Sequence, residues 1–320
     1  MNPNFCPVPV IHLLKHEALF SGIEIHVKIA EKFVRLNFAE EPYKEILEKL
    51  QKKSVDHVYI TDKDFSYILD QFNESLLNGN IAEDTFNEEI RANTADTLFN
   101  MSREFIKHHG VSAELVGSMT EASQTIQTLI KKADGLSAFL RKFEKDCSEE
   151  FLKINVTTFL TTAVINQFPW KSQQIIEKTM LAAMFCDITL SPKDFSEIVN
   201  YEAMGGELSI ELKRHPLAAI NLLAHKLDTI PQETLTIIEQ HHEKPDGSGF
   251  PNGIDISRFN QLSAIFIVCQ RFADELFAHE FNTARHYDSI QLLRDNFQGA
   301  VFSRALDALV EVVAVDSLKS

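Results

Sequence analysis

Apolar side chains change their period near residue 80, and that change limits what this chain can fold into. Before it, Glu24–Ile29 and Lys32–Phe38 alternate apolar and polar residues, the period-2 mark of half-buried strands, and His57–Ile60 reads as another short strand. Between them, Tyr43–Lys53 puts Ile46, Leu47 and Leu50 on one face of a helix with charges opposite. Thr61 or Asp64 caps a second helix carrying Phe65, Ile68, Leu69 and Phe72. Asn78-Gly79-Asn80 breaks the pattern, and from about Glu83 onward helical periodicity takes over. Thr85–His109 carries an apolar stripe through Phe86, Ile90, Leu98, Met101, Phe105 and Ile106, and Gly110 ends it as a C-cap. Residues 112–132 and 133–143 continue in the same style. The expectation is an α+β chain: a small α/β domain over residues 1–78, a helical connector over 79–145 and an all-helical domain over 146–320.

Composition narrows the function. At 320 residues the chain can bury a sizeable core and form more than one domain. A net charge of -15 argues against nucleic acid and anionic membrane as partners. An anionic ligand then needs a local basic cluster, which Lys213, Arg214, Lys244, Arg258 and Arg271 can supply around the motifs described below. The four cysteines have no CxxC spacing and read as reduced, buried thiols. No basic segment followed by an apolar run opens the chain, and no apolar stretch reaches the roughly 20 residues that span a membrane. A cytoplasmic protein is expected.

The most informative string is His241-His242-Glu243-Lys244-Pro245-Asp246-Gly247-Ser248-Gly249-Phe250-Pro251. It follows a helix that Pro231 can open and that Leu235 and Ile238 can bury, so the two imidazoles sit where a helix ends in a tight loop. Taken alone, the histidine pair suits a helix C-terminus with cationic side chains against the dipole. The whole string, with its acid and its Gly-rich turn closed by proline, suits a metal site, because imidazole is the commonest metal ligand.

This string resembles the HHExxDGxGYP signature of the HD-GYP family, metal-dependent phosphodiesterases that hydrolyse cyclic di-GMP; only the tyrosine differs, being Phe250. Met180–Leu190 is similar to the family's apolar helix ending in His-Asp-Ile-Gly-Lys. Asp187 and Ile188 are kept, while Cys186, Thr189 and Leu190 replace His, Gly and Lys. Lys213-Arg214-His215-Pro216 resembles the family's His-Pro segment, which carries His215 over as a ligand. Leu262–Asp274 resembles a helix whose metal-binding Asp is Gln270 here. A further family histidine belongs roughly thirty residues before the His-Asp pair, yet no histidine lies between His109 and His215. The resemblance thus implies metal ligands Asp187, His215, His241 and His242, with degenerate positions at Cys186 and Gln270.

Three lost ligands change the chemistry. Two dications need enough anionic and imidazole donors to offset desolvation and mutual repulsion, and Gln270 offers only a weak amide oxygen. Cys186 as a thiolate would favour softer ions such as Zn. His241 and His242 diverge by about 100° if helical, which suits either two metals or one ligand and one supporting group. Leu190 cannot donate to a phosphate, and Phe250 lacks the tyrosine hydroxyl. No intact catalytic set remains, and Asp187, Glu243 and Asp246 are the remnant candidates, the latter two also readable as a structural carboxylate and a turn residue. Arg214, Lys244 and Arg271 are the candidate ligand-binding residues.

The expectation is a catalytically impaired HD-GYP-type protein that serves as a binding or signalling module with at most one divalent transition metal, Fe, Mn or Zn. Its ligand would be cyclic di-GMP or a related nucleotide, and a protein partner or a homodimer are the other partners considered. The alternative is a phosphodiesterase with an altered, mononuclear site, and a weaker third reading is a scaffold whose motif residues are remnants. The other histidines, including His12, His109 and His225, read as surface or structural residues.

Overall fold

The computed structural model describes every residue except 1–3, 17–19, 21, 37–42, 80–84, 224–229 and 318–320, so His225 and Asn80 lie outside the described residues. The chain separates into two units, residues 1–126 and 127–320.

The first unit holds a four-stranded antiparallel sheet in the order β1-β4-β2-β3, from β1 (Phe5–Pro9), β2 (His26–Ile29), β3 (Lys32–Arg35) and β4 (His57–Thr61). Sequence periodicity anticipated the last three. It missed β1, which contains Pro7 and Pro9 and occupies an edge, where a strand tolerates the missing proline N–H. Helices α1 (Val10–Lys15), α2 (Tyr43–Lys52), α3 (Asp62–Gly79) and α4 (Thr85–His109) complete the α+β arrangement. Thr61 and Asp64 cap α3 reciprocally: Thr61 Oγ1 accepts from Asp64 N at 3.2 Å and donates to Asp64 Oδ2 at 2.7 Å. Gly110 closes α4 with φ 83, its N–H donating to Ile106 O. The α3–α4 pair buries Phe65, Ile68, Leu69, Phe72, Leu98, Met101 and Ile106. Ile90, expected on that stripe, is 47% exposed, because Thr94 and Ala95 take the inner face of that stretch.

Helix α5 (Ala113–Lys132) runs across the limit between the units, and the second unit is helical throughout: α6 (Leu136–Phe143), α7 (Glu149–Ile165), α8 (Gln173–Phe185), α9 (Pro192–Met204), α10 (Ile210–Lys213), α11 (His215–Leu223), α12 (Gln232–Gln240), α13 (Gln261–Ala278), α14 (His286–Asn296) and α15 (Ala300–Ser317). No strand follows β4 among the described residues; an isolated bridge joins Asp246 and Asp255. Helices α7 and α13 are buried around most of their circumference and pack on one another, the mark of central helices. Helix α8 packs on α7, α12 on α8 and α13, and α11 on α12. Phe139, Phe151, Phe185, Phe266, Phe272 and Phe302 are fully buried, so much of the chain's stock of 24 phenylalanines is core material. No helix among the described residues is long and apolar enough to cross a membrane.

Candidate metal centre

Three helix termini bring the motif residues together. Helix α12 ends at Gln240, and His241 at its C-cap points Nδ1 at the Ile238 carbonyl, 2.7 Å away. His215 opens α11, and its Nδ1 lies 2.7 Å from the carbonyl of Leu212. A carbonyl only accepts, so both Nδ1 atoms donate, and each neutral ring presents its Nε2 lone pair on the other side. Those two Nε2 atoms are 3.2 Å apart. Asp187, just past α8, places Oδ1 3.1 Å from His215 Nε2 and 3.4 Å from His241 Nε2. All three residues are buried.

Three lone-pair atoms at such distances repel unless a cation lies among them. A metal ion bound at about 2.0–2.2 Å separates its ligand atoms by roughly 2.8–3.6 Å, from octahedral to tetrahedral geometry. The observed separations fall within that range, and two imidazoles with one carboxylate form a donor set that suits Fe, Mn or Zn. The donor set therefore fits one divalent ion. Burial opposes ionisation of Asp187, but the close approach of the His215 and His241 imidazoles outweighs it and holds the carboxyl well below its usual range. Burial lowers the pKa of His241 against the pull of Asp187, which favours the neutral, ligating ring.

His242 belongs to the same cluster, with one ligand atom from each of the four residues within 4.8 Å of the others. Its environment differs. Arg271 Nη2 lies 2.7 Å from His242 Nδ1, and a guanidinium only donates, so a neutral His242 carries its proton on Nε2. In that state Nε2 is a donor rather than a ligand. Phe250 stacks flat on the His242 ring, with centroids 4.5 Å apart and 19° between planes. Helix α12 ends at Gln240, before both residues, and the His241 and His242 rings lie side by side with centroids 4.1 Å apart.

The loop that follows is held by its own carboxylates. Glu243 is 1% exposed and accepts from two backbone groups, Asn252 N at 2.6 Å and Ile254 N at 3.1 Å. Asp246 Oδ1 accepts from Ser248 N at 3.0 Å and Ser248 Oγ at 2.7 Å, which lowers its pKa and closes an Asx turn. A Cβ at Gly249 would overlap the backbone of Glu243 and Lys244, so only glycine fits there.

Beside the cluster lies a cavity with about 30 Å³ of room for water-sized groups, lined by Lys153, Cys186, Asp187, His242, Gln270 and Arg271. That holds about two waters. Cys186 Sγ is 3.6 Å from Asp187 Oδ2 and stays outside the four-residue cluster. The Oε1 atom of Gln270 is buried with no hydrogen-bond partner among the described residues. Of the three basic ligand-binding candidates, Arg271 lines the cavity, while Arg214 is exposed and Lys244 is half-buried, neither of them on the cavity wall.

Sequence reasoning missed Lys153. Its ammonium lies 3.0 Å from Glu149 and 3.5 Å from Asp274, whose other oxygen lies 3.4 Å from Arg271. A charged chain thus runs from Glu149 through Lys153, Asp274 and Arg271 to His242. The available signal was a lysine on a helix otherwise almost wholly buried. Leu190 and Phe250, which stand where the resemblance expects lysine and tyrosine, pack with Ile198 and Leu208 in one hydrophobic cluster.

No family model and no curated protein matches the chain. Among solved structures, it is similar to Bd1817, an HDG"Y"P protein from Bdellovibrio bacteriovorus, with a TM-score of 0.56 and 15% sequence identity over 97% of this chain and 100% of that one. At that identity the likeness concerns the fold, and the fold is HD-GYP-like.

Proposed function

We propose that this chain is a degenerate HD-GYP-type protein that holds at most one divalent metal ion at its His-Asp cluster and acts as a binding or signalling module in cyclic di-GMP biology, with little or no phosphodiesterase activity. The observation that carries the reading is the asymmetry of the cluster. Asp187, His215 and His241 converge as three acceptors, whereas His242 is engaged by Arg271.

Electrostatics supports a single ion. Beside the triad, where a second dication would need anions, the cavity presents the Gln270 amide, the cations Lys153 and Arg271, and Asp274, a carboxylate that both cations already engage. Lys153 and Thr157 line the cavity from α7, about thirty residues before Cys186, where the resemblance expects the missing histidine. Putting an ammonium where a neutral imidazole ligand would stand adds positive charge that disfavours a second dication. The apolar cluster of Leu190 and Phe250 likewise takes the place of polar groups that would position a phosphate and a water.

An ion at the triad would supply Lewis-acid polarisation of a phosphoryl oxygen. The chain's own contribution would be to hold His215 and His241 by their backbone acceptors and to present Arg271 to an anion. A mononuclear hydrolase is the second reading, favoured by the convergence of the triad. Metal analysis of the full-length protein together with cyclic di-GMP binding and hydrolysis assays tests both. The proposal expects one Asp187-dependent ion or fewer per chain, counted as the difference between the parent protein and Asp187→Ala, and turnover at least a hundredfold below an intact family enzyme. Two Asp187-dependent ions per chain, with turnover abolished by Asp187→Ala, would overturn it.

A further inference from the structure

A second convergence of ligating atoms lies in the first unit, remote from the HD-GYP-like motifs in sequence. Cys6 of β1, Asp62 at the first turn of α3 and His109 at the last residue of α4 each offer one atom, all within 4.8 Å of one another. Cys6 Sγ donates to Asp62 Oδ1 at 3.0 Å and lies 3.6 Å from His109 Nε2, which is 3.8 Å from Asp62 Oδ1.

We propose that Cys6, Asp62 and His109 form a binding site for one borderline-soft divalent ion, of which Zn²⁺ is the type, with the fourth position open to water. A tetrahedral zinc ion, at about 2.3 Å from sulfur and about 2.0–2.2 Å from nitrogen and oxygen, separates its ligand atoms by roughly 3.3–3.6 Å. The observed triangle differs from that by a few tenths of an ångström, within reach of side-chain rotation. Thiolate with imidazole and carboxylate is a zinc donor set and a poor one for Mg²⁺ or Ca²⁺.

The ligands are placed before any ion arrives. Cys6 is fully buried in a strand, and the His109 ring stacks on Phe105 at 4.4 Å, which stacks on Phe65 at 4.4 Å. His109 and Asp62 have side-chain exposures of 22% and 40%, which leaves a path for an ion and a water. Burial first, then the hydrogen bond to Asp62, keeps the free thiol protonated, which removes a role as a thiolate nucleophile. On binding, the Cys6 S–H bond breaks, the proton leaves to solvent and the thiolate becomes a ligand. Because the three residues belong to β1, α3 and α4, the ion would join strand and helices that are distant in sequence.

The test uses full-length protein carrying Cys186→Ala, stripped with a chelator and titrated with Co²⁺ as the spectroscopic stand-in for Zn²⁺. The expected result is a saturable thiolate-to-cobalt charge-transfer band that disappears when Zn²⁺ is added. Cys6→Ser in the same background should abolish the band, and His109→Gln should weaken cobalt binding at least tenfold with the circular dichroism spectrum unchanged. Absence of the band, or its survival in Cys6→Ser, overturns the proposal. Should Cys6→Ser fail to fold, the partly exposed His109→Gln and Asp62→Asn carry the test, and unchanged affinity in both overturns it. Because a band of this kind needs a thiolate, binding at the Asp187 triad cannot mimic it.

Discussion

Arg271 donates to His242 Nδ1 across 2.7 Å, and this one hydrogen bond sets the tautomer of a histidine that the sequence motif presents as a metal ligand. Arg271→Met should therefore do two things at once. It frees His242 to turn a lone pair toward the cluster, and it removes a cation from the neighbourhood of the ion. Metal affinity, measured by competition with a chelator, is expected to rise about tenfold or more. A fall would mean that the guanidinium holds the site together rather than limiting it.

Asp187 is the only carboxylate among the four clustered residues. Asp187→Asn keeps the shape and removes the charge, so metal occupancy of this cluster should drop to near zero while the fold persists. Restoring ligands should do the opposite: Cys186→His with Gln270→Asp is expected to raise the metal content above that of the parent protein. No gain in the double variant would show that Lys153 and Arg271, rather than ligand loss, set the limit.

The signature loop depends on one buried acid and one close approach. Glu243→Ala leaves the N–H groups of Asn252 and Ile254 without their acceptor, at a cost of about 2–4 kcal/mol in unfolding stability. Gly249→Ala forces a Cβ into the backbone of Glu243 and Lys244, and should lower the melting temperature and displace His242. Chemical denaturation reads the first effect. A lowered melting temperature at constant helix content reads the second.

Acid should weaken the first unit through His12. Burial first, and Lys15 next, lowers its pKa from 6.5 to about 3, and its Nδ1 lies 3.1 Å from Thr97 Oγ1. A folded value below the unfolded one means that the unfolded chain takes up the proton first. The stabilising contribution is therefore complete above about pH 6.5 and declines as the pH falls towards 3. At pH 5 the loss is roughly 2 kcal/mol, and His16, lowered to about 4 chiefly by burial, acts in the same direction. Urea denaturation at pH 7 and pH 5 should show this loss, and His12→Gln should reduce it. An equal loss in the variant would place the acid sensitivity elsewhere.

Much of the fold was legible because hydrophobic period is a local property. The strand pair around Ala30, the caps at Thr61 and Gly110 and the helical character beyond residue 85 each rest on side chains close together in sequence. Edge strand β1 was not legible, since Pro7 and Pro9 suppress the local signal and its pairing with β4 joins residues far apart in the chain, from Phe5 with Thr61 to Pro9 with His57. The motif resemblance likewise pointed to Asp187, His215, His241 and His242 as a set, because each motif is carried by residues close together in sequence.

Other features were decided by tertiary structure alone. Which imidazole nitrogen carries a proton depends on the carbonyls of Leu212 and Ile238 and on the guanidinium of Arg271, and no local pattern records those contacts. Lys153, Asp274 and Arg271 form a charged chain only because α7 packs against α13. Asp62 and His109 stand 56 and 103 positions from Cys6 in sequence, and the three become neighbours through β1, α3 and α4. The sequence alone determined which residues can ligate, since that is a matter of side-chain chemistry. Only the tertiary structure decided which of them meet and in what protonation state, since distance, burial and hydrogen-bond partner are properties of the packed chain.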